Sequence, residues 1–396
     1  MELLTIVHGR KIEYIPIIYE FIEETTRHIL FYDHAKEECA IALELKTSIQ
    51  RLNFKYGRSV EIKMIEIDED SKRDMQQIAK VFAGESRDIY LNGAGADTAL
   101  FTVLSSIILL NQGRVIAYDK EDNSYNLITQ NGFTNQTIKN SMNLDDFLLL
   151  MGEKLLDESS KDEILEKKEA LNILFGDMKR MFNVRHFLQK RKTKELQKRY
   201  PNVIEALKSL DIVDESCLIR GQEGFVKFGY LFEQFVYLQL EGFDFDDIKV
   251  GAKIQFDKTQ VKRRDIEVTN EFDILTIYQN HIGFIECKLG DSHDPLGTIY
   301  KSDSIMDYFG ENTSSLILNI ERNKSPHLKR SRKNFGDAII YRAKTKKVSI
   351  YNAFDFSKPI FRAKISQAFN IELQDSARKE NFNQQIEQLQ SRFGGV

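Results

Sequence analysis

Short apolar runs alternate with helical patterns through the first 130 residues of the chain. LLTIVHG (3–9) is a strand-length run closed by glycine, and a helical pattern follows from Tyr14 to Glu24. HILFYD (28–33) predicts a second strand, and 35–54 a long amphipathic helix. VEIKMIEI (60–67) alternates apolar and polar positions, and 71–83 again has helical spacing. DIYLNGAG (88–95) is a strand entering a glycine-bearing turn, with an apolar helix over 97–110 and late strands at 113–119 and 124–129. Strands and helices alternating at this spacing predict a Rossmann-like α/β unit with a mainly parallel sheet. Ligands of such sheets bind beyond the carboxyl ends of the strands.

The pattern then changes. Residues 143–159 have the spacing of a closing helix, and a charged segment runs over 160–200 to a loop near Pro201. An aromatic helix (225–240) precedes predicted strands at 250–256, 264–269, 271–279 and 282–289. A helix over 296–309, a strand over 314–320 and a strand–turn–strand over 337–352 complete a mixed α/β domain, before a polar tail at 374–396. The organisation expected is a first domain over 1–155, a helical connector over 156–219 and a second domain over 220–396.

Charge is divided along the same line. Residues 1–160 carry 17 Lys+Arg against 26 Asp+Glu, and the remainder 39 against 34. Residues 179–199 hold nine basic side chains and one acid, a stretch able to track phosphates or to form a solvated helix face. No apolar run approaches the roughly 20 residues that span a bilayer. The amino-terminal segment lacks the features of a signal peptide. Cys39, Cys217 and Cys287 make neither a disulfide framework nor a zinc site. A cytoplasmic protein without a membrane partner is expected.

Candidate chemistry sits in EFDILTIYQNHIGFIECKLG (271–290). Read as a hairpin with Asn280–His281 as its loop, this segment sets Asp273 across from Lys288 and diagonal to Glu286. Alternation then brings the three to one face, with Cys287 on the other. Two adjacent carboxylates repel, and one stays protonated unless a cation neutralises them. Mg²⁺ or Mn²⁺ does so through oxygen ligands, lowering the pKa of bound water and stabilising charge on a scissile phosphate. A lysine beside it orients that water or meets the developing charge. A surface ion pair across two strands is the plainer alternative. Glu233 lies in KFGYLFEQFVYLQL, a helix apolar almost all round, where a carboxylate needs a partner: a metal, its water, or a nearby lysine. Basic stretches at 321–333 and 342–347 supply either phosphate contacts or solvated loops.

Helix Glu233, strand Asp273, Glu286-x-Lys288 on the next strand and a following helix resemble the PD-(D/E)xK nuclease core over roughly 220–355. The resemblance implies Asp273 and Glu286 as metal ligands, Lys288 as the catalytic lysine and Glu233 as an outer metal or water contact. Glu271 is an additional acid of the same segment.

In the first domain, YLNGAGADTAL (90–100) ends a strand and opens a helix whose N-terminus attracts phosphate. No G-x-G-x-x-G follows the first strand, which argues against a nicotinamide-dependent dehydrogenase. Residues 1–155 resemble a CARF domain, the sensor of cyclic oligoadenylate in type III CRISPR defence. The corresponding turn is Asn92-Gly93-Ala94-Gly95-Ala96-Asp97-Thr98. The lysine usual in this turn is absent, and Asp97 brings a negative charge. A second binding loop is expected at His8-Gly9-Arg10-Lys11, with Arg10 or Lys11 supplying positive charge. The whole chain thus resembles the CARF–PD-(D/E)xK ancillary nucleases. That implies a homodimeric, metal-dependent endonuclease of antiviral defence, activated by cyclic tetra-adenylate (cA4), with single-stranded DNA or RNA or double-stranded DNA as substrate. A ligand-responsive nucleic-acid-binding regulator with a degenerate nuclease domain is the alternative.

Overall fold

A computed structural model describes residues 1–34, 36–67, 88–256, 268–290, 294–310, 312–320, 337–353 and 356–372. The expected helix at 71–83, most of the expected strand at 264–269, the basic stretch at 321–333 and the tail lie outside the described residues. The chain parts into two compact units: 1–155 with 254–270, and 156–253 with 271–396.

The first sheet has seven strands in the order β3-β2-β1-β4-β5-β6-β7. They are β1 (Glu2–Val7), β2 (Arg27–Asp33), β3 (Glu61–Ile67), β4 (Ile89–Asn92), β5 (Arg114–Asp119), β6 (Ser124–Thr129) and β7 (Gly132–Thr137). The first five pair in parallel and the last two return antiparallel. The fold class therefore agrees with the sequence pattern. β1 is central, and Leu3, Leu4, Ile6 and Val7 are all buried because such a strand is covered on both faces. β7 is an addition to the expected elements. Its sequence GFTNQT is exposed at nearly every position, as suits a polar edge that does not invite further strands.

The described helices of this unit are α1 (Ile15–Glu20), α2 (Lys36–Lys55), α3 (Thr98–Leu110) and α4 (Leu144–Met151). α2 buries Ala42, Leu45, Ile49 and Leu52, one stripe at helical spacing. The closing helix expected over 143–159 stops early. Gly152 takes φ +85°, its N–H donates to the Leu149 carbonyl, and the Glu153 N–H reaches back to Leu148. This left-handed cap ends the helix. Lys154–Asp157 then forms β8.

The second sheet runs β13-β12-β11-β10-β9-β8. Its remaining strands are β9 (Asp247–Phe256), β10 (Val268–Tyr278), β11 (His281–Leu289), β12 (Ser314–Ile320) and β13 (Ser349–Ala353). Helices α5 (Lys161–Glu166), α6 (Lys168–Phe175), α7 (Met178–Gln189), α8 (Thr193–Arg199) and α9 (Pro201–Ser209) occupy the segment expected as a connector. Their apolar residues, including Phe175, Met181 and Leu207, share one core with α10 (Gly221–Gln239) and with Ile274, Ile285 and Leu316 of the sheet. α11 (Pro295–Phe309), α12 (Asp337–Thr345) and α13 (Lys358–Phe369) follow. The strand–turn–strand expected over 337–352 is thus helix then strand. In α12 it is Ala343 that is buried, and Lys347 turns the chain at φ +56° into β13.

Candidate active site

The β10–β11 hairpin turns at Gln279 and Asn280, with φ +49° and +63°. Positive φ at both central residues is the geometry that matches the twist of two-residue hairpins. The expected loop, Asn280–His281, is one residue too late. Tyr278 pairs with His281, and the register runs to Ile274↔Ile285. One step beyond that pairing come Asp273 and Glu286, so Asp273 stands nearer to Glu286 than to Lys288 in register. There the Cys287 N–H donates to Asp273 Oδ2 at 2.6 Å, a side chain serving where a backbone acceptor would. Phe272, the preceding residue, meets Phe284 edge to face at 5.8 Å and lies against Phe309.

Glu286 is buried, and both its oxygens are engaged. Lys288 Nζ lies 2.5 Å from Oε1, and Lys301 Nζ of α11 lies 3.4 Å from Oε2. Lys301 also reaches the Glu271 carbonyl at 3.4 Å. Glu233 arrives from α10 and is buried. Next to it, the space a side chain at Gly229 would enter is open, with no heavy atom within 4 Å.

Electrostatics tie these groups together. Burial, then the charges of Asp273 and Glu271, push Glu233 up to about 9. Burial and the Glu286 charge push Asp273 up to about 7, against the pull of Lys288 and the Cys287 N–H. Burial works against the Lys288 ammonium, but Glu286 and Asp273 outweigh it and hold its pKa above the usual lysine range. Burial, followed by the neighbouring acids, pushes the Cys287 thiol up, which removes it as a thiolate. Tyr230, one turn before Glu233 and half exposed, has its phenol pKa raised first by Glu271 and then by burial.

Glu233, Asp273, Glu286 and Lys288 thus form one neighbourhood. Lys301 and Tyr230 belong to it and were missed from the sequence. Tyr230 carried a signal, three residues before Glu233 on the same helix. Lys301 carried none, because only the packing of α11 brings it to Glu286. Among the described residues, no three His, Cys, Asp or Glu side chains converge as a metal cluster. The donor set nevertheless suits a hard cation: it is made of oxygen ligands, and Glu233 and Asp273 have pKa values raised by burial first and by their neighbouring acids second, a cost that a bound cation would offset.

In the first unit, the two expected binding loops leave the carboxyl ends of β1 and β4. These strands are adjacent and parallel, and the strand order reverses between them, where open α/β sheets hold ligands. Arg10 is exposed. Lys11 is buried, its ammonium 2.5 Å from Glu44 Oε2 and 2.8 Å from the Met151 carbonyl. His8 pairs with Glu38 at 2.5 Å. Asn92 is buried, donating to the Tyr14 carbonyl at 3.2 Å and accepting from the Ala94 N–H at 3.1 Å. A Cβ on Gly93 would collide with the Phe101 ring, and Gly95 sits at φ +64° with Glu13 Oε2 2.6 Å from the position of a Cβ. Asp97 caps α3, accepting from the Leu100 N–H at 2.9 Å, and Thr98 is the first residue of that helix. Ala96 donates to the Gly93 carbonyl at 3.4 Å, and Gly9 turns at φ +65°.

Residues 222–348 match the family model of the Card1-like endonuclease domain. This stretch contains Glu233, Asp273, Glu286, Lys288 and Lys301, so the acid–lysine cluster falls inside the Card1-like region. No curated protein matches the chain. Similar solved structures include protein VC1899 from Vibrio cholerae, at 13% identity and TM-score 0.68, covering 93% of this chain and 97% of that one. Can2 from Sulfobacillus thermosulfidooxidans, solved in complex with cyclic tetra-adenylate, is similar at 15% identity and TM-score 0.63, covering 93% and 99%. A type III CRISPR defence DNA nuclease activated by cyclic oligoadenylate shares 14% identity at TM-score 0.50, covering 93% of this chain and 51% of that one. At these identities the likeness is one of fold, and it spans both units. The Card1-like match adds the nuclease character of the second. Among the described residues, no helix is long and apolar enough to cross a membrane.

Proposed function

We propose that the protein is a metal-dependent endonuclease of CRISPR defence, switched on by a cyclic oligoadenylate such as cA4 bound to a sensor over 1–155. In this reading 156–219 connects the sensor to a nuclease domain over 220–396, and the active protein is a homodimer. The observation that carries the proposal is the Glu233–Asp273–Glu286–Lys288 cluster inside the Card1-like region, with both glutamates buried and Lys288 against Glu286. The sensor half is supported by the two loops at the switch point of the first sheet and by the fold shared with Can2.

Asp273 and Glu286 would hold Mg²⁺ or Mn²⁺, with Glu233 in outer contact. The cation would supply Lewis acidity at the scissile phosphate and a bound water of lowered pKa. The chain's own groups do the rest. Lys288, held by Glu286, presents a cation to the phosphoryl oxygens as negative charge builds on them. Lys301 offsets the other oxygen of Glu286 and keeps that carboxylate in place. The Cys287 N–H fixes the orientation of Asp273 from the backbone. Activation requires that the ligand bind the competent state of the protein more tightly than the resting one.

The deciding experiment incubates the protein with Mn²⁺ and labelled single- and double-stranded DNA and RNA, with and without cyclic tetra-adenylate. Cleavage that needs both the metal and the cyclic nucleotide is expected, with EDTA abolishing it. Binding that survives EDTA with every substrate left intact would favour a regulator instead.

A further inference from the structure

Arg185 lies on α7, within the stretch over 179–199 that carries nine basic side chains and one acid. Its guanidinium reaches the end of β11, where Nη1 lies 3.6 Å from the position of a Cβ on Gly290. Gly290 follows Lys288 by two residues, and its N–H is pinned to the Ile320 carbonyl at 2.7 Å. The guanidinium therefore lies at the end of the strand that carries Glu286 and Lys288.

Its surroundings are unusual for a structural arginine. Arg185 is half-buried, and its Nε is buried without a hydrogen-bond partner, as is that of Arg180; unlike Arg180, the rest of its guanidinium meets no acceptor or carboxylate among the described residues. Burial alone lowers its pKa, with no acid acting in the other direction. Two neighbours show the ordinary use of such a side chain. Arg180 donates to the Ile173 carbonyl at 2.5 Å, and Arg199 lies over the Phe187 ring at 5.4 Å. Drawing a charge partly out of water with no partner is costly, and the cost is recovered when an anion arrives.

We propose that Arg185 is a substrate-binding residue that grips a backbone phosphate of the nucleic acid beside the scissile one. The planar guanidinium fork suits a phosphate, and a phosphate near Lys288 is what a strand threaded through the site presents. The inference rests on the nuclease reading of the acid–lysine cluster.

The test uses full-length Lys288→Ala protein, which leaves the substrate intact, with Mn²⁺ and cyclic tetra-adenylate. Binding of labelled single- and double-stranded DNA and RNA is measured across a salt series. Adding Arg185→Gln should weaken binding about tenfold or more. It should also make the slope of log affinity against log salt shallower by about 0.7 to 0.9, one phosphate contact. Arg185→Lys should keep the slope while losing several-fold in affinity. An unchanged affinity and slope in Arg185→Gln overturns the role of Arg185 alone. Absence of binding by the Lys288→Ala parent takes down the nuclease reading and this inference together, so the two failures are distinguishable. Melting temperatures are recorded for each variant. Should Arg185→Gln not fold, an affinity unchanged in Arg185→Lys overturns the proposal.

Discussion

Lys288 and Glu286 sit two residues apart on β11 with Nζ 2.5 Å from Oε1, while Lys301 of α11 approaches the other carboxylate oxygen at 3.4 Å. The carboxylate is buried and the two ammonium groups are its partners, so neither lysine is a spectator. Lys288→Ala and Glu286→Gln should each lower cleavage of labelled nucleic acid by at least about a hundredfold with Mn²⁺ present. Cyclic tetra-adenylate binding, measured by calorimetry, should stay as in the parent. Cleavage near the parental rate in either variant removes the cluster from the chemistry.

Lys301→Ala should have a milder effect. It removes one of two cations from Glu286 without touching the register that sets Asp273 and Lys288. A fall in cleavage of roughly tenfold is expected, about 1.4 kcal/mol of transition-state stabilisation. A loss as deep as that of Lys288→Ala would make Lys301 the principal lysine.

Asp273→Asn separates activity from stability. The amide oxygen still accepts from the Cys287 N–H, while the charge that burial and Glu286 disfavour is gone. Cleavage should fall at least about a hundredfold, and Tm should hold or rise by roughly 2–4 °C. A lower Tm in a thermal melt would show that the ionised carboxylate stabilises the fold.

Arg10 and Lys11 are adjacent in the sequence and opposite in circumstance. Lys11→Ala removes a buried ammonium from the largely buried Glu44 and from the Met151 carbonyl, and should cost about 3 kcal/mol of stability. Arg10→Ala should leave the melt unchanged and weaken cyclic tetra-adenylate binding. A tight ligand complex in Arg10→Ala would move the positive charge of the sensor elsewhere.

His28 is buried on β2, with Nε2 2.9 Å from Thr5 Oγ1 on β1. Burial pushes it down to about 3 from an ordinary 6.5, so the folded ring is neutral where the unfolded one is charged. The unfolded state binds the extra proton in that window. Stability from this group is therefore present above about pH 6.5 and lost as pH falls toward 3, by up to about 1.4 kcal/mol per unit. Urea titrations at several pH values should show a shallower acid dependence in His28→Gln than in the parent. Equal slopes would mean that His28 keeps its ordinary pKa.

The hairpin shows how far the amino-acid pattern reaches. Its apolar alternation located β10 and β11, and the acids interrupting that pattern located Asp273, Glu286 and Lys288. The turn was displaced by one residue because QNH offers no glycine to mark the positive-φ pair, and only the structure assigns it to Gln279 and Asn280. β7 was missed since a polar edge strand has no apolar face to display. α12 was misread because its adjacent isoleucines suit a strand, while burial falls on Ala343.

The sequence by itself determined the strand and helix order of the first unit, the mixed α/β character of the second, and the acid–lysine motif. These are local properties: periodicity of apolar residues and the cost of charge inside an apolar run. Tertiary structure decided which distant groups share that cost. Glu233 and Lys301 reach Asp273 and Glu286 only through the packing of α10 and α11, and Arg185 reaches Gly290 only through α7. Lys11, which reads as an available cation, is spent on Glu44 and the Met151 carbonyl. Electrostatic neighbours act through space and desolvation, and neither is written in residue spacing once the partners lie on different elements.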